Sequence, residues 1–371
     1  MLPSAPKSLG RLSDVFQAAF DSINGTSNAL GLKPVDSAIV LMVDGLGFHN
    51  LKEAGGHARF LNMALGATKA ISTVFPSTTA AALTSFASGL QPSQHGFVGY
   101  RILDRGRNQS QNLLSGWSDF ESSRGWREGD TVSDRARNSA VKVSFIGPAA
   151  YARSGFTNVI MPEADYVPAQ SLEERITRAI ETVKNPNQLV YLYVPELDQA
   201  AHAKGAKSQF WLDRVEALDA QARRLNESLG RRTGLLVTAD HGIVDVRPGA
   251  QIELAELQLP SLSFVGGDTR AAYLYLESTR QFESVRASLE VALQDTCWVV
   301  GLDDLVGANW MQPPNEVAAQ RLPDLFVLAK KSVAVYHREF SSPKSYAMVG
   351  HHGSITTEEL AVPLLKLGAW F

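Results

Sequence analysis

Ala38-Ile39-Val40-Leu41-Met42-Val43-Asp44-Gly45 is a six-residue apolar run, half of it β-branched, that stops abruptly at an acid and a glycine. A continuous apolar run of that length fits a strand buried on both faces, as in the middle of a parallel sheet. Runs of the same kind recur at Val141–Ile146, Leu189–Val194 and Leu235–Val237. Helical patterns lie between them. Ser171-Leu172-Glu173-Glu174 reads as a capping box, with Ile176, Ile180 and Val183 following on one face. Trp211, Val215, Leu218, Ala222 and Leu225 form a second apolar stripe at helical spacing. Strands alternating with helices predict an α/β fold, a three-layer α/β/α sandwich with a mostly parallel central sheet.

Residues 1–35 read as an N-terminal helical extension, carried by Leu12, Val15, Phe16, Ala19 and Phe20. Residues 36–247 and 343–371 read as the main α/β domain, and 248–342 as a smaller inserted cap subdomain. Strands are expected in the cap at Ala271–Leu276, Trp298–Val300 and Leu325–Leu328, with a helix at Phe282–Leu293. The polar stretch 101–135 is expected to be an irregular excursion over the mouth of the site.

The net charge of −3 excludes a nucleic-acid scaffold or a polybasic membrane patch. Cys297 is the only cysteine, so neither an intramolecular disulfide nor a thiolate zinc cluster can form. Neither a secretory signal nor an apolar run of membrane-spanning length is visible, which predicts a cytoplasmic protein. Nothing in the sequence fixes the oligomeric state.

Polar residues gather where the apolar runs end. Asp44 ends the first; Asp198 and His202 follow the third at i, i+4 spacing, on one helical face; Asp240-His241-Gly242 follows the fourth. Phe75-Pro76-Ser77-Thr78-Thr79 runs into a helix-forming alanine stretch, which puts Thr79 at a helix N-terminus, a favourable place for phosphate. His351-His352-Gly353 adds an imidazole on a glycine-rich loop, from either histidine. Singly, each piece has a plainer reading: a helix cap for Asp44 or the Ser-Thr-Thr run, a surface pair for Asp198 and His202. Jointly, carboxylates, imidazoles and a hydroxyl at the strand ends of one sheet are enough to hold two divalent metals and supply a nucleophile.

In this order the motifs resemble the alkaline phosphatase superfamily, and most closely its type I phosphodiesterase/nucleotide pyrophosphatase branch. The resemblance spans roughly residues 36–365 and also includes Gly89-Leu90-Gln91-Pro92 and His95-Gly96. It implies Thr79, not Thr78, as nucleophile and His352, not His351, as ligand. It further implies two metal ions, zinc by the chemistry of the ligands. Asp198, His202 and His352 would hold one, and Asp44, Asp240, His241 and the Thr79 oxygen the other. The implied reaction is hydrolysis of a phosphodiester or pyrophosphate through a phosphothreonine intermediate, on a small phosphate ester or nucleotide-like substrate. Two positions depart from the pattern. Ala80 stands where the branch has a base-stacking Phe, and Tyr100 where it has a phosphate-binding Asn, which leaves Tyr100 as a candidate substrate contact. Tyr151 and Tyr166 are alternative stacking residues, or simply packed ones. A phosphomonoesterase or a phosphonoacetate-type hydrolase on the same site is the alternative reaction. A silent binding protein is disfavoured by the complete donor set. A sulfatase is excluded because Cys297 lacks the Cys/Ser-x-Pro-x-Arg setting. His95 is expected to brace the Thr79 loop through hydrogen bonding.

Overall fold

A computed structural model describes residues 2–6, 10–66, 68, 70–117 and 120–371. In chain order its main strands are β1 (Ser37–Val43), β2 (Arg101–Asp104), β3 (Gln109–Asn112), β4 (Lys142–Gly147), β5 (Asp165–Pro168) and β6 (Gln188–Val194). They continue with β7 (Thr233–Thr238), β8 (Leu262–Asp268), β9 (Ala271–Leu276), β10 (Cys297–Val300), β11 (Leu325–Ala329) and β12 (Leu364–Gly368). The helices used below are α1 (Leu12–Ile23), α2 (Thr79–Ser88), α3 (Leu172–Thr182), α4 (Glu196–Lys204), α5 (Gln209–Glu227) and α6 (Phe282–Leu293).

The central sheet has the order β12-β7-β1-β6-β4-β5. All pairs are parallel except β12 with β7, and helices cover both faces. Every residue of β1 is buried, as its unbroken apolar run requires. Register decides where the chemistry lies. Val43 pairs with Val194 and Met42 with Thr238, so β1, β6 and β7 end level with one another at their carboxyl edge. Open parallel sheets bind ligands at that edge. On α5 the buried residues are Trp211, Val215, Leu218, Ala222 and Leu225, the stripe seen in the sequence. On α3 the Ser171 hydroxyl accepts from the Glu174 N–H at 3.1 Å, but the returning carboxylate accepts from Gln170 N, one residue before the cap. Helix α1 lies in the core, where Phe16 packs on Phe86 with ring centroids 4.8 Å apart.

A second, wholly antiparallel sheet has the order β10-β11-β9-β8-β2-β3. Its middle strand β9 is buried on both faces, and the faces divide by alternation. Ala271, Tyr273 and Tyr275 join the main core, while Ala272, Leu274 and Leu276 pack with Val285, Leu289 and Leu293 of α6 in a separate one. Tyr273 donates to Val98 O at 2.6 Å and Tyr275 to Arg321 O at 2.7 Å, so the tyrosine face is docked through both rings and hydroxyls.

Residues 101–135 are not the irregular excursion expected from their polarity. The segment opens with a regular hairpin, β2 with β3, registered from Arg101↔Asn112 to Asp104↔Gln109 and joined to β8 at Arg101↔Gly267. Short helices follow at Phe120–Ser123 and Val132–Ala136. No apolar alternation announces this hairpin because a buried ion pair anchors it. The Asp104 carboxylate accepts from Arg321 Nε at 3.0 Å and from Arg107 at 2.9 Å.

Candidate metal centre

The strand ends deliver the polar residues in level register. Asp44 follows β1 directly, Asp198 and His202 lie one turn apart on α4 after β6, and Asp240 and His241 follow β7. Thr79 is the first residue of α2, with Thr78 at the cap position. His352 arrives from a loop whose Gly350 and His351 pair with Asp245 and Val244. All seven residues expected from the sequence are thereby brought to one carboxyl edge.

Their ligand atoms converge. Asp44, Asp240 and His241 offer atoms within 4.8 Å of one another, as do Asp198, His241 and His352. His241 belongs to both groups: its Nε2 lies 3.4 Å from Asp44 Oδ1, 3.4 Å from Asp240 Oδ2 and 3.1 Å from Thr79 Oγ1. The His241 and His352 rings stack at 3.7 Å. His202 stands outside the two tight groups, with Nε2 3.2 Å from Asp198 Oδ2.

Backbone groups fix the orientation of each donor. His202 Nδ1 meets Gly350 O at 2.7 Å, and His352 Nδ1 meets Ser77 O at 2.9 Å. A carbonyl only accepts, so in both rings Nδ1 carries a hydrogen and Nε2 is the nitrogen that faces the cluster, the usual arrangement around a metal-binding imidazole. Asp240 Oδ1 accepts from the N–H of Gly45 at 3.1 Å and of His241 at 3.0 Å. Gly45 is left-handed, with φ of 74°, and a Cβ there would lie 3.1 Å from Asp198 Cα. A Cβ on Gly242 would lie 1.9 Å from Glu358 O, so no side chain fits after His241. Ser77 latches the Thr79 loop to the His352 loop: its hydroxyl donates to Ser354 O at 2.8 Å and accepts from Gly353 N at 3.2 Å.

Among the described residues, four buried atoms of the cluster have no hydrogen-bond partner: Asp44 Oδ1, Asp198 Oδ1, Asp240 Oδ2 and His241 Nδ1. Buried carboxylate oxygens left unpaired are costly, and cations are the groups that satisfy them. The donor set therefore fits divalent metals, and its mixture of imidazole and carboxylate suits zinc.

Protonation shows the same strain. Burial, then repulsion from Asp240 and Asp198, holds Asp44 well above the ordinary carboxylate range. Burial likewise pushes Asp240 up to about 7. Burial would raise Asp198 too, but His202 and His352 bring it below its ordinary value. Burial would lower His202, and Asp198 overrides it, raising the imidazole to about 9. Burial depresses His241 to about 3 and His352 well below its ordinary value. A consequence follows for the metal-free protein. A group whose pKa is raised by folding contributes stability below its unfolded pKa and loses it as pH climbs through the folded value. The depressed imidazoles, those of His95 and His351 included, oppose this until the unfolded histidines have lost their protons, about one unit above 6.5. From there to about 9, His202 governs the balance, and Asp240 and Asp44 have the same sign. The midpoint of urea denaturation should therefore fall between about pH 7.5 and 9 without metal, and should fall much less with zinc in place of the protons. Equal slopes with and without zinc would contradict this.

Several contributors were missed by the sequence reading. Tyr193, on β6, donates through its hydroxyl to Asp44 Oδ2. Asn50 clamps the Asp240 turn through both its amide atoms, at 2.9 and 3.1 Å from Ile243 N and O. Arg270 and Glu359, both buried, tie the His352 loop to the second sheet. The only sequence signal for Tyr193 is its place one residue before the end of β6, a strand that also carries Tyr191. His95 is buried and held near 3 by burial, then by Arg127 and Arg321. Phe97 N donates to its Nδ1 at 3.1 Å, so Nε2 carries the hydrogen and donates to Ser85 on α2, at 2.8 Å. Tyr100 is half-buried on the bend before β2, and no hydrogen bond ties its hydroxyl to the seven donors among the described residues. The Tyr166 hydroxyl is taken up by Pro148 O at 2.6 Å, while the Tyr151 ring packs against Tyr193, centroids 6.1 Å apart. Cys297 is buried, and burial pushes its thiol up to about 11.

Residues 38–355 match the family model of type I phosphodiesterase/nucleotide pyrophosphatase. The chain belongs to that family. Membership places it among hydrolases of phosphodiester and pyrophosphate bonds. Solved structures of the murine ectonucleotide pyrophosphatase/phosphodiesterase 5 share the family fold with this chain. One superposes with a TM-score of 0.67 at 19% identity, covering 88% of this chain and 87% of that one. A second is an inactive threonine-to-alanine variant of the murine protein in complex with AMP, with a TM-score of 0.67, 18% identity and coverage of 90% and 88%. The human counterpart gives 0.66, 18%, and 89% and 87%. No curated protein matches the chain in sequence comparison. Among the described residues, no helix of this family member is long and apolar enough to cross a membrane.

Proposed function

We propose that the chain is a two-metal hydrolase of phosphodiester or pyrophosphate bonds that uses Thr79 as its nucleophile. The observation that carries this reading is the convergence of unpaired buried carboxylate oxygens and inward-facing imidazole nitrogens around the Thr79 hydroxyl. Asp44, Asp240, His241 and Thr79 would hold one ion, and Asp198, His202 and His352 the other. Bound there, divalent zinc would neutralise the carboxylates, polarise the phosphoryl oxygens and lower the pKa of a coordinated hydroxyl. The protein's own residues do the rest. Helix α2 presents Thr79 at its N-terminus, where the phosphate under attack finds free N–H groups. The Ser77 latch holds Thr79 and His352 in a fixed relation. Attack by Thr79 Oγ1 would form a bond to phosphorus as the bond to the leaving ester or phosphate oxygen breaks, and water would then cleave the phosphothreonine, releasing the phosphoryl product and restoring the Thr79 hydroxyl.

The substrate proposed is a small nucleotide or nucleotide-like phosphate ester. The family supports this, as does the AMP complex of the murine relative. Ala80 removes the stacking Phe that the family pattern places beside the nucleophile. Specificity for the base is accordingly expected to be weaker than the hydrolytic chemistry, with Tyr100 as the remaining phosphate-side candidate. Rates on bis-p-nitrophenyl phosphate and p-nitrophenyl phosphate decide between the reactions. The diester should be favoured in kcat/KM by at least about tenfold, about 1.4 kcal/mol of transition-state discrimination. A preference for the monoester, or turnover of phosphonoacetate instead, would replace this reading with the alternative hydrolase.

A further inference from the structure

Asp44 has two oxygens in different circumstances. The Tyr193 hydroxyl donates to Oδ2, whereas Oδ1 is buried, unpaired and 3.4 Å from His241 Nε2. Tyr193 is itself held on three sides. It stands in β6, whose neighbour Val194 pairs with Val43. Its carbonyl accepts from Arg175 at 2.8 Å, a fully buried side chain of α3 that also pairs with Glu196. Its ring packs beside Tyr151 and Tyr191, at 6.1 and 6.0 Å. Tyr191 supplies a comparison within the same strand. It lies two residues away, on the same face, and its buried hydroxyl has no partner among the described residues.

The geometry points to Tyr193 as a positioning residue that occupies one oxygen of Asp44 and so presents the other, Oδ1, as a single-oxygen ligand to the cation shared with Asp240, His241 and Thr79. A carboxylate free to rotate could engage an ion through both oxygens or turn away from it. A phenol O–H on one oxygen restricts it to one arrangement and lowers the orientational cost of binding. Hydrogen bonds to metal ligands from outside the coordination sphere are typically worth about 10–100-fold in metal affinity. Sequence pattern hides this role, because a tyrosine inside a buried strand reads as packing.

The inference rests on the two-metal reading, and the test separates the two. Zinc affinity of the metal-free full chain is measured by competition with a chromophoric chelator, for the wild type, Tyr193→Phe and Tyr191→Phe. Phenylalanine keeps the ring and removes only the hydroxyl. Two sites in the wild type, one of them weakened about 10–100-fold in Tyr193→Phe and neither altered in Tyr191→Phe, is the expected result. Unchanged affinities in Tyr193→Phe overturn the inference and leave the two-metal reading standing. Equal losses in both variants overturn it as well, since they would report strand packing. A wild type that binds no zinc removes both. Should Tyr193→Phe fail to fold, a crystal structure of the zinc-loaded wild type answers directly: the Tyr193 hydroxyl retained on Oδ2 with zinc on Oδ1 is expected, and a two-oxygen Asp44 ligand contradicts it.

Discussion

Replacing Thr79 by alanine is expected to lower diester turnover by on the order of 10⁴–10⁶-fold, the usual cost of deleting a covalent nucleophile. The fold should survive. Thr79 Oγ1 has one hydrogen-bond contact, with His241 Nε2 at 3.1 Å, and alanine is a strong helix former at the start of α2. Zinc binding should persist through Asp44, Asp240 and His241. The neighbouring hydroxyl provides the control. Thr78 Oγ1 is buried, makes no capping hydrogen bond and has no partner among the described residues, so Thr78→Ala should keep most of the activity. The two variants are compared by kcat on bis-p-nitrophenyl phosphate, with circular dichroism and zinc content measured in parallel. Activity retained in Thr79→Ala and lost in Thr78→Ala would move the nucleophile by one residue and break the proposed register.

Arg270→Ala is expected to destabilise the protein by about 3–5 kcal/mol, the cost of stranding one partner of a buried ion pair. Arg270 is 0% exposed, and its guanidinium donates to both oxygens of Glu359 at 2.8 Å and to Lys331 O and Val333 O at 2.7 and 3.0 Å. Glu359 in turn accepts from Ser354 N at 2.9 Å and Thr356 Oγ1 at 2.6 Å. Ser354 O receives the Ser77 hydroxyl that latches the Thr79 loop. Deleting the guanidinium therefore leaves a buried carboxylate beside the His352 loop, and weaker zinc binding should accompany the loss of stability. Replacing both partners, Arg270→Met with Glu359→Leu, should restore part of the stability without restoring the latch. Urea denaturation of the single and double variants measures this. A double variant less stable than the single would show that the pair stabilises beyond its removal of a stranded charge.

The four inner strands of the main sheet, β1, β4, β6 and β7, were legible because they are buried on both faces and therefore nearly uninterrupted in sequence, whereas the edge strands β5 and β12, partly exposed, were not. Asp44, Asp198 and Asp240 stood out as polar residues where such runs stop, and register then brings them to one edge. The place of Thr79 at a helix N-terminus was legible from the alanine-rich run that follows it, while its choice over Thr78 came from the family resemblance. The hairpin at β2 and β3 was not, since Asp104 and Arg321 anchor it and lie more than 200 residues apart in a stretch without apolar alternation. Arg270 and Glu359 were hidden for the same reason: a buried ion pair leaves no periodic mark. Tyr193 fitted the apolar run too well to be noticed. Sequence period reports which face is buried, and only the folded chain reports which hydroxyl meets which carboxylate.

Metal content measured together with bis-p-nitrophenyl phosphate hydrolysis, before and after chelation and after zinc is restored, tests the central claim most directly. About two zinc ions per chain, activity lost with the metal and regained with zinc, is the predicted result. Full diester turnover by the metal-free protein, or no bound metal and no activity even with zinc restored, would contradict it.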